Sequence, residues 1–433
     1  MNAMQQRRIP PGPRDPYDPK ANQLHWMAEQ FEQFGDIFRA SIHGRDTYVV
    51  RHPKYVERVL LKNWSNYVKG QAIKRIAFLL GKGIMVSEGK FWKSQRRMIQ
   101  PAFRQEVIAG LTGLIARTNQ MLLTNWERAA QRGQVVDVTS DVSHMVMQFV
   151  LASIFGDDVD AGPSAFEVLS VDPARDLEFI EKFRSLTGVV RDIMRRRRER
   201  GALGTDFLGM LMAVRARETG LPMPDTQIVN EVMTLVVAGH ETTASTINWT
   251  WYLLSQHPEA EQRLTAELER VPYRQTGTLE ELDHFVYTRR VLDEALRLYP
   301  AGWLLTRRAL NDDWLDDFFV PARTEIYIPI YFIQRHPDLW VEPDRFNPDR
   351  FTPENSVGRH PLAMLPFSVG PRNCIGEQLA RVEMQIHLMM VAKRLRFQYN
   401  DAKTPELEIG INLRSKNNFL MTPSLKGGAA PGT

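Results

Sequence analysis

Between Asp225 and Gln256 the chain carries a helical pattern whose middle, Met233 to Ala238, is apolar on every face. Such a segment is stable only when protein surrounds it. At 1.5 Å per residue it would be roughly 45 Å long, the width of a whole domain. Asp225 or Thr226 is placed to cap this rod, and Pro258 stops it. The remaining elements must therefore pack around it. Into its buried middle the sequence puts Gly239-His-Glu-Thr-Thr243. Glycine costs about 1 kcal/mol relative to alanine in a helix interior, and the two threonine hydroxyls compete for backbone carbonyls, so this turn is expected to be locally weak. His240-Glu241 could open an H-E-x-x-H zinc site, but Ala244 stands where the second histidine is needed. A plain structural kink is the other reading.

Cys374 is the only cysteine among 433 residues. One cysteine permits neither an internal disulfide nor a Cys-x-x-Cys zinc site, which fits a reducing, cytoplasmic compartment. It stands in Phe367-Ser-Val-Gly-Pro-Arg-Asn-Cys-Ile-Gly376, and Leu379, Val382, Ile386, Met389 and Met390 follow at helical spacing. A thiol just ahead of a helix is biased toward thiolate by the helix dipole. Gly370 and Gly376 remove bulk where backbone must approach a flat ligand. Taken alone, a single thiol is more simply a small core residue.

The register Phe367, Gly370, Arg372, Cys374, Gly376 resembles the haem-binding loop of the cytochromes P-450, the haem-thiolate monooxygenases. Other stretches resemble that family in the expected order. Trp92 and Arg96 match its W-x-x-x-R helix, although a surface cation over an aromatic ring is an equal reading of the pair alone. Gly239 to Thr243 looks like the A-G-x-E-T turn of its distal helix. Glu294 and Arg297 form an E-x-x-R pair, and Pro343-Asp-Arg-Phe346 resembles the P-E-R-F element, so that Arg345 would complete a buried network.

The resemblance implies a mainly α fold with a smaller β region, in which the long distal helix and the cysteine loop sandwich haem b (heme b, iron-protoporphyrin IX). It makes Cys374 the iron ligand and assigns the propionates to Trp92, Arg96, Arg372 and Arg307, with Arg308 the alternative to Arg307. The distal helix is expected to bulge, with Thr242 donating toward bound dioxygen and Glu241 feeding protons from solvent. Candidate pocket residues by family position are Phe78, Ile84, Val86, Ala238, Trp303, Leu304 and Phe419, all apolar. Core packing accounts for each of them equally well when taken singly.

Length alone would suggest two or three domains, but no linker or low-complexity break divides the interior. The division read is a flexible proline-rich N-terminus over 1–20, one haem domain over 21–425 and a disordered tail over 426–433. No stretch approaches the roughly 20 apolar residues of a membrane span, and the N-terminus has no apolar core of a signal peptide, so no stable membrane anchor is expected. A net charge of +4 is too small at this length to argue for nucleic acid. The run Arg195-Arg-Arg-Arg-Glu-Arg200 reads as the solvated end of a helix. Ile37–His43 and Thr47–Val50 read as a β-hairpin, Lys69 to Lys90 as a long loop, and Glu325–Tyr331 as a strand whose Pro329 suits a sheet edge. Between Phe155 and Asp206 the chain is short for the family, which implies either a shortened lid over the substrate channel or one lid helix reduced to a turn near Phe166–Leu169.

The implied activity is insertion of one atom of dioxygen into a hydrophobic organic substrate such as a fatty acyl, terpenoid or polyketide skeleton, by C–H hydroxylation or epoxidation. Electrons would come from a separate ferredoxin or flavodoxin with its reductase, docking near Lys93, Arg97 and Arg381. A peroxide-driven or non-oxidative haem-thiolate enzyme, or a non-catalytic haem carrier or sensor, is the alternative; neither needs the Glu241/Thr242 pair.

Overall fold

The computed structural model describes residues 7–71, 73, 80–161, 176–272 and 278–427, with 159–161 and 176–185 as backbone alone. The rod is present as the helix Asp225–Gln256, and most of its residues beyond Thr243 are buried on all sides. Its cap is Pro224, with no side-chain hydrogen bond; Asp225 instead pairs with Arg198 at 2.6 Å. Helices Val138–Phe155, Val286–Leu298 and Glu377–Ala392 pack against the rod, and Gln105–Gln131 closes the layer behind them. Val138–Asp158 is long and apolar enough to cross a membrane by composition, contrary to the reading that no stretch is. It is 61% buried inside the fold and packs on the rod and on Gln105–Gln131, as a core helix does.

His387 shows how the helices are pinned. The Trp251 indole N–H donates to its Nε2 at 2.8 Å, so the proton sits on Nδ1 and is donated to Asn119 Oδ1 at 2.6 Å. Burial pushes the pKa of this imidazole down to about 3, which keeps it in that neutral tautomer.

The β region is a five-stranded sheet in the order Ile37–Ile42, Arg45–Val50, Glu325–Pro329, Leu304–Ala309, Tyr67–Lys69. Only the Arg45–Val50 and Glu325–Pro329 neighbours run parallel. The strand holding Pro329 is thus central, not an edge; the proline is tolerated because it is the strand's last residue, opposite Leu304. Lys69 to Lys90 is less loop-like than read, being helical at Gln71, Ile73 and Leu80 and again from Gly89.

Three further readings change. Residues 8–17 are not free: Arg39 N–H donates to Pro11 O at 2.8 Å, Tyr17 N–H to Ser41 O at 2.9 Å, and Phe319 N–H to Arg8 O at 2.8 Å. At the other end Lys426 is held by Glu261, Thr265 and the Ala392 carbonyl, so it belongs to the domain and not to a tail. In the arginine run, Arg197 is buried between Asp158 and Asp206, each at 2.7 Å, and also reaches the Phe155 carbonyl. The run therefore ties the end of its helix to two neighbouring segments. The turn expected near Phe166–Leu169 lies outside the described residues.

Candidate haem site

The cysteine loop is fixed by backbone geometry. Gly370 adopts φ +79°, and a Cβ there would stand 2.3 Å from the Leu60 carbonyl, so only glycine fits. Cys374 N–H donates to Phe367 O at 2.9 Å, and Arg96 braces the next turn through the Asn373 carbonyl at 2.9 Å and its Oδ1 at 3.1 Å. Helix Glu377–Ala392 follows directly. Burial pushes the Cys374 thiol up, while the Gly376 and Glu377 amides and the Arg96 charge pull the other way. The thiol opens onto a cavity of about 340 Å³.

The opposite wall of that cavity is the weak turn of the rod, presenting Ala238, Gly239, Thr242, Thr243 and Thr246. The rod stays α-helical through this turn, so the expected bulge is absent. Thr242 Oγ1 donates to the Ala238 carbonyl at 2.8 Å, which commits its proton to the helix and leaves its lone pairs toward the cavity. Glu241 does not line the cavity with it. Its carboxylate accepts from Asn412 Nδ2 at 2.8 Å, lies 3.8 Å from Arg414, and is 40% exposed. The acid thus faces solvent and the hairpin Leu407–Ser415, one residue away from an alcohol that faces the cavity. His240 is engaged by the Ser143 hydroxyl at 2.9 Å, and burial lowers its pKa to about 4.

At the rim, Arg372 lies 4.0 Å over the Trp92 ring, donates to Ser87 O at 2.7 Å and pairs with Glu88. Arg307 is buried, and Lys69 is its register partner on the adjoining strand. Burial, reinforced by the neighbouring guanidiniums, brings Lys69 down to about 7; burial and Arg372 bring Arg307 down to about 10. Three cations around one carboxylate is an uncompensated arrangement that two propionates would balance. A thiol on one wall, no bulk at Ala238 on the other and excess positive charge at the rim fit iron-protoporphyrin IX. Arg96, in contrast, is spent on the cysteine loop. Sequence reasoning missed Lys69, whose only signal is its position just before Gly70 at the end of a strand.

The pocket residues divide. Ala238 lines the cavity, but Ile84 is turned into the core and its neighbour Met85 lines the wall. Val86 borders a separate hollow beside Lys69 and Glu88. Trp303 is core, its indole donating to Gly410 O at 3.1 Å; Leu304 packs beside it, and strand alternation gives the cavity to Leu305. Phe419 belongs to an aromatic cluster, stacked 5.4 Å from Tyr252 and edge-on to Trp249 at 5.1 Å. Phe78 lies outside the described residues. Phe149, Val150, Phe207, Leu235, Leu296 and Met384 are among the wall residues that the sequence did not single out.

Glu294 and Arg297, both fully buried, form a two-bond pair at 2.6 and 2.8 Å. The third member is Arg350, whose Nε donates to Glu294 Oε1 at 3.1 Å, and not Arg345. The Arg345 side chain is 65% exposed and pairs with Glu342; only its carbonyl enters the network, accepting from Arg297 and Arg350. The docking cations are also reassigned: Arg97 pairs with Glu218, Arg381 with Asp293 and Glu377, and Lys93 lies 5.3 Å over Trp64.

A helical domain built on one rod, with a thiol facing that rod across a cation-rimmed cavity, defines a haem-thiolate protein. Comparison with known proteins agrees: the family model Cytochrome P450 matches residues 17–169 and 162–423. The chain belongs to the cytochrome P450 family. It is 31% identical over 392 residues to cyclooctat-9-en-7-ol 5-monooxygenase of Streptomyces melanosporofaciens, covering 84% of this chain and 83% of that one. Cytochrome P450 4B1 of Rattus norvegicus is 30% identical, with 78% and 74% covered. Among solved structures, the cytochrome P450DA haem domain superposes with TM-score 0.84 at 26% identity, over 97% of this chain and 98% of that one. The retinoic acid bound cyanobacterial CYP120A1 shares the fold, with TM-score 0.87 at 23% identity over 96% and 99%. The mainly α fold, the haem cofactor and the monooxygenase class read from the sequence are thereby established. A small-molecule substrate, dioxygen and a redox partner come with the family.

Proposed function

We propose that this monooxygenase hydroxylates or epoxidises a hydrophobic substrate at a haem held by Cys374, with electrons from a separate acidic redox protein. The observation that carries this is one cavity with the Cys374 thiol on one wall, the Thr242 hydroxyl on the other and Arg372 at its rim, with the buried Arg307 and Lys69 close enough to Arg372 to feel its charge. Bound haem supplies the activation of dioxygen and the oxidising power, which a thiolate ligand enhances. The chain supplies position and protons. Gly376 and Glu377 amides stabilise negative charge on the sulfur, and Arg372, with Arg307 and Lys69 behind it, would hold the propionates. Thr242 holds the proton-handling position on the distal wall at its Oγ1, and Glu241 next to it in sequence meets solvent beside Asn412 and Arg414, outside the cavity.

The substrate side of the cavity is walled by aromatic and aliphatic side chains, which exclude water and favour an apolar skeleton. The relative named for oxygenating cyclooctat-9-en-7-ol points the same way.

Thr242→Val keeps the shape and removes the hydroxyl. Product formation is expected to fall about 10²-fold, within the range for loss of a positioned proton-transfer group, while dioxygen is still consumed. Unchanged product per dioxygen would remove Thr242 from the proton path. Turnover with a reductase and dioxygen, set against peroxide alone, tests the reading as a whole: product only with peroxide would favour the peroxide-driven alternative.

For the redox partner, Lys93 is the strongest of the three cations, since Arg97 and Arg381 already have carboxylate partners. Lys93→Glu is expected to slow electron delivery from an acidic ferredoxin about tenfold at low salt, with the difference shrinking as salt rises. Delivery insensitive to both would place docking elsewhere.

A further inference from the structure

Met85 reaches the cavity wall from the irregular segment Gly81–Glu88, between a helical turn at Leu80 and the helix Gly89–Ile99. An irregular segment ordinarily satisfies its backbone with water. This one is fastened to the rod instead. Ile84 N–H donates to Glu231 Oε2 at 2.8 Å, and Gln227 Nε2 donates to Lys82 O at 3.0 Å and to Glu231 Oε1 at 2.5 Å. Gln227, Glu231 and Leu235 stand one turn apart on a single helix face, and Leu235 lines the cavity. Glu231 is fully buried, and both of its oxygens face donors.

The segment also lies close against the rod. A Cβ on Gly83 would stand 1.9 Å from Thr234 Oγ1 and 2.8 Å from Asn230 O, and one on Gly81, at φ +59°, 2.3 Å from Asn230 Oδ1. Its far end is held by Arg372, through Ser87 O and Glu88. The segment is therefore a strap tied at one end to the cysteine loop and in its middle to the rod. Nothing in the proton path or the iron ligation uses Glu231, although burying a carboxylate is costly without a purpose for its partners.

We infer that Glu231 is a positioning residue that clamps the strap Gly81–Glu88 across the cavity, setting where Met85 stands and how often an apolar ligand can pass. This rests on the cavity being the substrate and haem site; the clamp itself does not. Glu231→Ala removes both acceptors, Glu231→Gln keeps one, and Gly83→Ala pushes the strap from the rod without touching the carboxylate.

Two measurements on the haem-loaded protein test the clamp. Hydrogen–deuterium exchange of the 80–88 backbone is expected to quicken about tenfold in Glu231→Ala, as losing a buried hydrogen bond implies, with Glu231→Gln between it and wild type. Gly83→Ala should follow Glu231→Ala, and helix Glu377–Ala392 should keep its protection in all three. The association rate of 4-phenylimidazole, followed by the haem absorption band, should rise in the same order. Unaltered exchange at 80–88 in Glu231→Ala overturns the clamp. Faster exchange with unaltered azole association overturns the strap's control of access. If the azole leaves the wild-type haem spectrum unmoved, the functional reading fails instead, and the exchange result still judges the clamp.

Discussion

Glu294→Ala is expected to destabilise the protein by about 3–5 kcal/mol and to leave most of it without haem. Arg350→Ala should approach the lower end of that range, whereas Arg345→Ala should stay within about 0.5 kcal/mol of wild type. Glu294 is wholly buried and accepts from Arg297 twice, from Arg350 and from the Asn347 amide. Without it, Arg297 and Arg350 become two buried cations sharing no carboxylate. Arg350 carries more than that contact: it donates to the Val341, Glu342 and Arg345 carbonyls, which closes the turn around it. Arg345 holds only a solvent-exposed partner, Glu342, at 3.2 Å, and exposed pairs contribute little. Urea midpoints and the haem-to-protein ratio of the three variants decide the matter. A neutral Arg350→Ala beside a damaging Arg345→Ala would restore the reading made from sequence.

That misreading has a simple cause. The tetrapeptide Pro-Asp-Arg-Phe occurs twice, at 343–346 and 348–351, and the motif alone cannot choose between them. Only the second forms the short 3₁₀ turn that packs on helix Val286–Leu298, bringing its arginine to Glu294. Local patterns were legible where one period or one constraint dominates. The rod follows from its apolar length, the hairpin from Gly44 between two alternating runs, and the cysteine loop from glycines whose neighbours leave no room for a side chain.

What escaped depends on which way a side chain turns in three dimensions. Leu304 and Leu305 are alike in sequence, and strand register alone sends one to the core and the other to the cavity. Lys69 is one of 55 basic residues until a strand lays it beside Arg307. Glu241 and Thr242 were read as one unit, yet adjacent positions on a helix are about 100° apart, so they face different surroundings. The arginine run looked like a solvated helix end because sequence does not show that Asp158 and Asp206 fold back on Arg197.

Cys374 is the residue on which haem ligation depends. No other cysteine exists in the chain, so no other side chain can supply a thiolate to the iron. Its loop is held by Gly370 against Leu60, by the Phe367 carbonyl and by Arg96, and none of these contacts uses the sulfur. Cys374→Ala should therefore fold with the loop intact while losing the ligand. The direct measurement is the absorption spectrum of the reduced, carbon monoxide-saturated protein, wild type beside Cys374→Ala. The wild type should show the red-shifted band of thiolate-ligated haem, and Cys374→Ala should show none of it. A thiolate-type band that persists in Cys374→Ala, or is missing from a haem-loaded wild type, would contradict the account at its centre.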